Sequence, residues 1–460
     1  MGREARVACV QTAAGDVDRS DAALSEAVEL AAGAAREADL VVLPEATYPG
    51  YILHDEGSFR DDSWWRRGLD AFGAVAREGD AYVAVGLIRT VGDRIRNTAA
   101  MIGPDGRLVG TADKSFLWHF DSQWFEAGVT GDVLDLSFGP AGMIVCADAR
   151  MMEIPRSLAV AGARLLCDTT ALVLGPTGLN GQVEYMLQAR AWENGSYLAV
   201  ANKSGYEAGI AAYAGRSAIY GPDGERLVEA PPEGPAVISA TVDLDRAPGP
   251  PILRARTSDL PFGDPVSDPP IVEILREPPP ARPLRVAFLQ RPGDASRIRR
   301  ELMADLVLTR EPSDAEGAVS ITPHGMTVAS VTYPTGALVK LGSATVGFLS
   351  GDRIGVPEEV RRLMLEGASV VVWDRPEDAQ VPTAVVRTRA DENRIFVVVT
   401  GPDGSWQVVD PSGAILAGTR PGELDAVMVE LPLALAWMKE MAPATDVVAG
   451  RRPAGYPDLV

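Results

Sequence analysis

The chain has 460 residues, 46% of them hydrophobic, with 43 Lys plus Arg against 63 Asp plus Glu for a formal net charge of -20. That length exceeds what one hydrophobic core organises, so two domains are expected; the acidic balance repels nucleic-acid phosphates and anionic lipid, which excludes both as partners. Its three cysteines, Cys9, Cys146 and Cys167, are too few for a disulfide framework, and no Cys/His spacing suits zinc, so neither a metal nor another cofactor is expected.

Taken in chain order, the opening MGREARVACVQTAAG enters a strand directly, with no apolar signal region, and no later apolar run is long enough to cross a bilayer. A soluble, cytoplasmic protein is expected. RVACVQ reads as a buried strand, DRSDAALSEAVELAAGAAREAD has helical spacing, and ADLVVLPEA is a second apolar strand. SWWRRGLDAFGAVAREGD is an amphipathic helix and AYVAVGLI a strand, while NTAAMIGPDGRLVGTADK and SAIYGPDGERLVEA are hairpins turned by GPDG. Alternation of this kind predicts a layered α/β architecture with a mixed sheet.

From Pro248 to Pro283 the chain is too rich in proline to hold a helix or a central strand, and reads as a linker. Beyond it the pattern restarts. LRVAFLQ repeats RVACVQ, ADLVLTRE repeats ADLVVLPE with Glu311 at the place of Glu45, and RADENRIFVVV repeats RAWENGSYLAV. At a constant offset Gly142, Glu153, Arg156, Leu158, Gly162 and Ala163 fall on Gly347, Glu358, Arg361, Leu363, Gly367 and Ala368, but Cys146 falls on Gly351. The expected organisation is therefore a catalytic domain over 1–247, a linker over 248–283 and a degenerate, inactive copy over 284–460.

Three residues of the first copy carry the chemistry. Glu45 follows the strand ADLVVLP, Lys114 follows a hairpin strand, and Cys146 ends the strand GMIVC just before a helical stretch. In layered α/β sheets, residues at the carboxyl ends of strands converge on one crevice. A carboxylate there takes the thiol proton and returns it to a leaving amine, while an ammonium lowers the thiol pKa and steadies an oxyanion. Acyl transfer from an amide to cysteine and then to water is the reaction such a set can run. Cys9 and Cys167 lie inside apolar strands and are expected in the core.

LPEATYPGY around Glu45, DKSFLW at Lys114, CADARMMEIPR at Cys146, RAWEN, NKSG and GRSAIYGPDG together resemble the nitrilase superfamily of carbon-nitrogen hydrolases. The resemblance implies a Glu-Lys-Cys triad on a four-layer αββα sandwich, here present twice in one chain as a pseudo-dimer. It also implies a second glutamate in an E-x-x-x-F-x-x-G run, where this sequence has Asp121 in DSQWFEAG, with Glu126 as a possible substitute. Tyr51, Trp118, Asp148 and Thr170 are the candidate substrate contacts. Ala147, rather than tryptophan, after the nucleophile resembles amidase and carbamoylase branches, so a small-molecule amide or carbamoyl substrate is expected. An acyltransferase using the same acyl-cysteine, a true nitrilase and a non-catalytic scaffold subunit remain the alternatives, and intramolecular domain pairing or a further homo-oligomer the expected assembly.

Overall fold

The computed structural model describes residues 4–53, 61–175, 177–250, 270–289, 293–419 and 426–455. They fall into two compact units, Met1–Thr257 with Ala442–Thr445 and Gly450–Val460, and Ser258–Met441 with Asp446–Ala449. In the first unit, parallel strands β1 (Glu4–Ala13), β2 (Leu40–Val42) and β3 (Tyr82–Val91) are linked by helices α1 (Ser20–Ala35) and α2 (Ser63–Gly79). Strand β3 then turns back antiparallel into β4 (Arg94–Ile102) and β5 (Leu108–Asp113). Along β1, Ala8 and Val10 join the helix-side core with Leu24, Ala31, Phe72 and Val75, while Val7 and Cys9 are buried on the opposite face. Burial on both faces is why these strands read as continuous apolar runs instead of alternating ones.

The second sheet of this unit has the order β13 (Arg226–Glu229), β12 (Ala218–Tyr220), β9 (Tyr197–Ala201), β8 (Leu165–Thr169), β7 (Gly139–Val145), β6 (Leu134–Leu136). Helices α3 (Glu153–Val160) and α4 (Leu187–Asn194) pack on it. Strands of the two sheets lie face to face, which gives the layer order α-β-β-α.

Two strand groups depart from the sequence reading. NKSGYEAGIAAYA forms a hairpin, β10 (Lys203–Glu207) and β11 (Ala211–Ala214), that extends the first sheet alongside the end of β1. Past the hairpin of β12 and β13 a further strand, β14 (Ala236–Asp243), pairs antiparallel with β1 from Glu4 to Gln11.

The second unit begins within the proline-rich stretch. Residues 251–269 of that stretch lie outside the described residues, but Pro270–Leu275 forms a helix, α5, with Ile271 buried. This corrects the expectation of a helix-free linker: Pro270 stands at the first helical position, where its missing N–H costs no bond. One sheet runs β19 (Val331–Tyr333), β18 (Gly325–Val328), β17 (Ala318–Thr322), β16 (Leu306–Thr309), β15 (Leu284–Leu289), β26 (Ala426–Leu431). The other runs β20 (Leu338–Leu341), β21 (Ala344–Ser350), β22 (Val370–Asp374), β23 (Phe396–Thr400), β24 (Trp406–Val409), β25 (Ile415–Thr419). Val286, Phe288 and Leu308 of the first sheet share a core with Phe348, Val372, Val398 and Trp406 of the second. Helices α7 (Pro357–Leu365) and α8 (Thr383–Asn393) cover the second sheet, and α6 (Ala295–Glu301) the first.

One close approach ties the fold to Glu45. A Cβ built on Gly86 of β3 would stand 2.5 Å from both Glu45 Cα and Pro44 O, and 2.7 Å from Ala46 N. These are backbone atoms, so the clash cannot be relieved by rotating a side chain. Gly86→Ala is expected to destabilise the protein by about 1–3 kcal/mol and to lower turnover by displacing Glu45, as read from denaturant midpoint and kcat.

Candidate active site

Past β2, the chain stays bonded to β3 through Leu43 N–H to Ala84 O (2.8 Å), Gly86 N–H to Pro44 O (3.1 Å) and Thr47 N–H to Gly86 O (2.8 Å). This turns Glu45 into the interior, where its side chain is fully buried. Its Oε1 accepts from Asn97 Nδ2 at 2.6 Å and from Lys114 Nζ at 2.7 Å, and among the described residues its Oε2 has no hydrogen-bond partner. Lys114 follows β5 and is anchored by its N–H to Asn97 O (2.8 Å) and its O from Gly128 N–H (2.9 Å). Its ammonium meets a second carboxylate, Asp121 Oδ2, at 2.8 Å, and lies 5.4 Å from the centre of the Tyr51 ring.

Burial alone pulls the Lys114 pKa down, but Asp121, Cys146 and Glu45 together outweigh it and hold the side chain well above the usual lysine value. Lys114 is therefore a cation locked between two carboxylates. Asp121 sits in the turn His119–Gln123, where Oδ2 also takes Trp118 N–H at 2.6 Å and Oδ1 takes the Tyr51 hydroxyl.

Cys146 is the first residue past β7 and has φ 53°, the left-handed region that side chains other than glycine rarely adopt. Two polar contacts hold it there: its N–H donates to Asp168 Oδ1 (2.9 Å) and its carbonyl accepts from Gln182 Nε2 (3.0 Å). The thiol is 5% exposed at the residue level, and burial followed by the Glu45 charge pushes its pKa up. Lys114, the Thr170 hydroxyl and the Ala171 N–H act in the opposite direction but do not prevail. Lys114 does lower the thiol pKa as expected, but its effect is outweighed, because desolvation here exceeds the attraction of an ammonium already paired twice. A thiol in such a setting needs a base to take its proton before it can act as a nucleophile.

The structure brings Glu45, Lys114, Asp121, Tyr51, Thr170 and Cys146 into one electrostatically coupled cluster. The other expected contacts are placed differently. Asp148 is buried, with Oδ1 accepting from Ser115 N–H (3.0 Å), Ser115 Oγ (3.2 Å) and Phe116 N–H (2.8 Å), and Oδ2 from Val145 N–H (3.2 Å). This corrects its assignment as a substrate contact: its oxygens join the lysine loop to the nucleophile turn. Burial pushes its pKa up to about 6 despite the backbone N–H of Phe116 and the Lys114 charge. Trp118 is half-buried beneath the Arg150 guanidinium, 4.7 Å from the ring centre. Glu126 is half-exposed and pairs with Arg94 at 2.6 Å, so Asp121 and not Glu126 meets the lysine.

Cys9 and Cys167 are fully buried in β1 and β8, where burial raises both thiols. Asn97, Asp168 and Gln182 were not singled out from the sequence. Asp168 had a legible signal, a carboxylate inside the apolar run LLCDTT, where burial raises its pKa well above the carboxylate range. Among the described residues no group of His, Cys, Asp and Glu is arranged to hold a metal ion, and no helix is long and apolar enough to cross a membrane.

Residues 6–248, more than half of the chain, match the carbon-nitrogen hydrolase family model. Similar proteins include a hydrolase encoded in the pqqF 5' region of Pseudomonas protegens, 31% identical over 211 residues, covering 42% of this chain and 68% of that one. The chloroplastic omega-amidase of Arabidopsis thaliana is 30% identical over 277 residues, covering 55% and 70%. A nitrilase of Pyrococcus abyssi is 32% identical over 171 residues, covering 37% and 62%. Among solved structures, an amidase from Nesterenkonia sp. superposes with a TM-score of 0.47 at 27% identity, covering 53% of this chain and 91% of that one. With residues 6–248 matched by that family model, the chain belongs to the carbon-nitrogen hydrolase family of the nitrilase superfamily.

Proposed function

We propose that the protein hydrolyses the amide or carbamoyl carbon-nitrogen bond of a small molecule through a thioester on Cys146. The observation that carries this reading is the fully buried Lys114 ammonium, 2.7 Å from Glu45 and 2.8 Å from Asp121, acting on a thiol at a strained strand end. Cys146 Sγ attacks the carbonyl carbon while Glu45 takes the thiol proton, and Lys114 stabilises the oxyanion that forms. Collapse breaks the carbon-nitrogen bond as Glu45 returns the proton to the departing amine. Water then attacks the thioester with Glu45 again as base, and the acid leaves as the thiol is re-formed. Asp121 holds the lysine through its Oδ2 and so takes the place of the second glutamate. The relative described as an omega-amidase supports an amide over a nitrile.

The second unit is read as a degenerate copy of the first. The strand order β14-β1-β2-β3-β4-β5 has its parallel in β26-β15-β16-β17-β18-β19, and β6-β7-β8-β9-β12-β13 in β20-β21-β22-β23-β24-β25. Gly351 takes φ 66° where Cys146 takes φ 53°. Arg389 reaches Ile354 O at 2.9 Å and Glu392 Oε1 at 2.7 Å, as Arg190 reaches Ala149 O at 2.6 Å and Glu193 Oε1 at 2.6 Å. The frame of the turn is kept without the thiol. Pro334, not a lysine, follows β19, and Arg310 beside Glu311 pairs with Asp374.

A panel of amides, carbamoyl amines and nitriles, followed by ammonia release with and without an amine acceptor, tests the activity. Cys146→Ala is expected to abolish turnover, and Glu45→Gln to lower it by about 100-fold or more, the contribution of a positioned base. Intact mass should place an iodoacetamide adduct on Cys146; preferential labelling of Cys9 or Cys167 in the folded protein would sink the reading. Because the thiol pKa is raised, labelling should continue to accelerate as pH climbs past the ordinary thiol value of 9.0. For the second unit, Glu311→Gln should leave kcat within about twofold of wild type. Gly351→Cys meets no atom within 4 Å at its Cβ, yet should add no second site of turnover, since Pro334 and not a lysine follows β19.

A further inference from the structure

Glu207, at the end of β10, is fully buried and has a partner at each oxygen. Its Oε2 is held by Lys203 Nζ at 3.1 Å and the Tyr213 hydroxyl at 2.9 Å. Its Oε1 accepts two consecutive backbone N–H groups, from Tyr51 at 2.6 Å and Ile52 at 2.8 Å. Two charge-assisted bonds to adjacent amides fix both the position and the orientation of that stretch of loop. Gly50 packs directly against the same oxygen, since a Cβ there would lie 3.3 Å from Glu207 Oε1. The loop so held is the one whose Tyr51 hydroxyl donates to Asp121 Oδ1, and Asp121 Oδ2 holds Lys114. A continuous path of short contacts therefore runs from the β10–β11 hairpin to the lysine.

A second observation points the same way. In the unit without a thiol, β15 pairs with β16 and β26 among the described residues, with no counterpart of the hairpin that extends the first sheet beyond β1. The hairpin accompanies the chemistry.

We propose that Glu207 is a positioning residue of the catalytic centre: by clamping the Tyr51 and Ile52 amides it sets the Tyr51 hydroxyl, and through Asp121 the place of the Lys114 ammonium. An aspartate at 121 is one methylene shorter than glutamate, so its hold on the lysine depends on a hydroxyl delivered from the opposite side. Tyr51 supplies that hydroxyl, and Glu207 supplies its fixed origin.

The inference rests on the amide-hydrolase reading above, and its test separates the two. Glu207→Ala should lower kcat by about 10- to 100-fold, the cost of misplacing a catalytic group by roughly an ångström, with KM changed by less than about threefold. Glu207→Gln, which keeps an acceptor for both amides, should restore most of that loss. Tyr51→Phe should be impaired too, and Glu207→Ala combined with Tyr51→Phe should be no worse than the more impaired single variant, because both act through one path. Turnover within twofold of wild type in a folded Glu207→Ala protein, or losses that multiply in the double variant, would overturn the proposal. If Glu207→Ala does not fold, Glu207→Asp decides: it keeps the charge beside Lys203 but cannot reach the loop amides, and wild-type kcat there is equally fatal. Should the wild type turn over no amide or carbamoyl compound, the functional reading fails by itself. The rate of Cys146 carboxamidomethylation by iodoacetamide at neutral pH then reads the positioning directly, slowed in Glu207→Ala if the proposal holds and unchanged if it does not.

Discussion

A lysine ammonium with no access to water organises the first unit. Burial alone pulls the Lys114 pKa down; Asp121, Cys146 and Glu45 together outweigh it. Removing one partner from a buried ionic array costs about 3–5 kcal/mol, since a charge is left without compensation. The array is thus strict about geometry. Strand β3 brings Gly86 against the Glu45 backbone, Asn97 of β4 donates to the same carboxylate oxygen as the lysine, and Asp121 enters from a separate turn. Each comes from a different element, and each must arrive at the same time for the charges to balance.

The thiol is presented by strain. A residue other than glycine at positive φ costs on the order of 1–3 kcal/mol and persists only where its surroundings over-determine it. Asp168 and Gln182 do so from either side of Cys146, and Asp148 ties the turn to the backbone of Ser115 and Phe116, next to the lysine. The nucleophile and the cation are consequently registered to each other through one buried carboxylate and do not depend on two independent loops. Burial and the Glu45 charge together raise the thiol pKa.

The second unit has several of the same local features. It has a positive-φ turn at Gly351, an arginine, Arg389, that reaches the Ile354 carbonyl, and a glycine on which a leucine packs: Gly347 sits 3.0 Å from Leu363 and Gly142 3.0 Å from Leu158 at their would-be Cβ positions. In the second unit Arg310 pairs with Asp374, and Trp406 stacks on Phe288 with ring centres 4.3 Å apart.

Hydrophobic periodicity and turn chemistry made the strands, the helices α1 and α2 and the GPDG hairpins readable, because those signals are local. The meeting of Glu45, Lys114 and Cys146 was readable for the same reason: each lies just past a strand. What the chain alone could not reveal was set by contacts between distant segments. The hairpin β10–β11 hides in a glycine-bearing stretch whose pairing depends on β1 nearly 200 residues earlier, and β14 is a strand only because β1 offers it an edge. Likewise the sequence determined that Asp148 and Glu126 were acidic, but only the tertiary structure decided that one is consumed by backbone amides and the other by Arg94. The direction of the Cys146 pKa was decided there too, since residue spacing encodes which charges meet, whereas desolvation depends on everything packed around them.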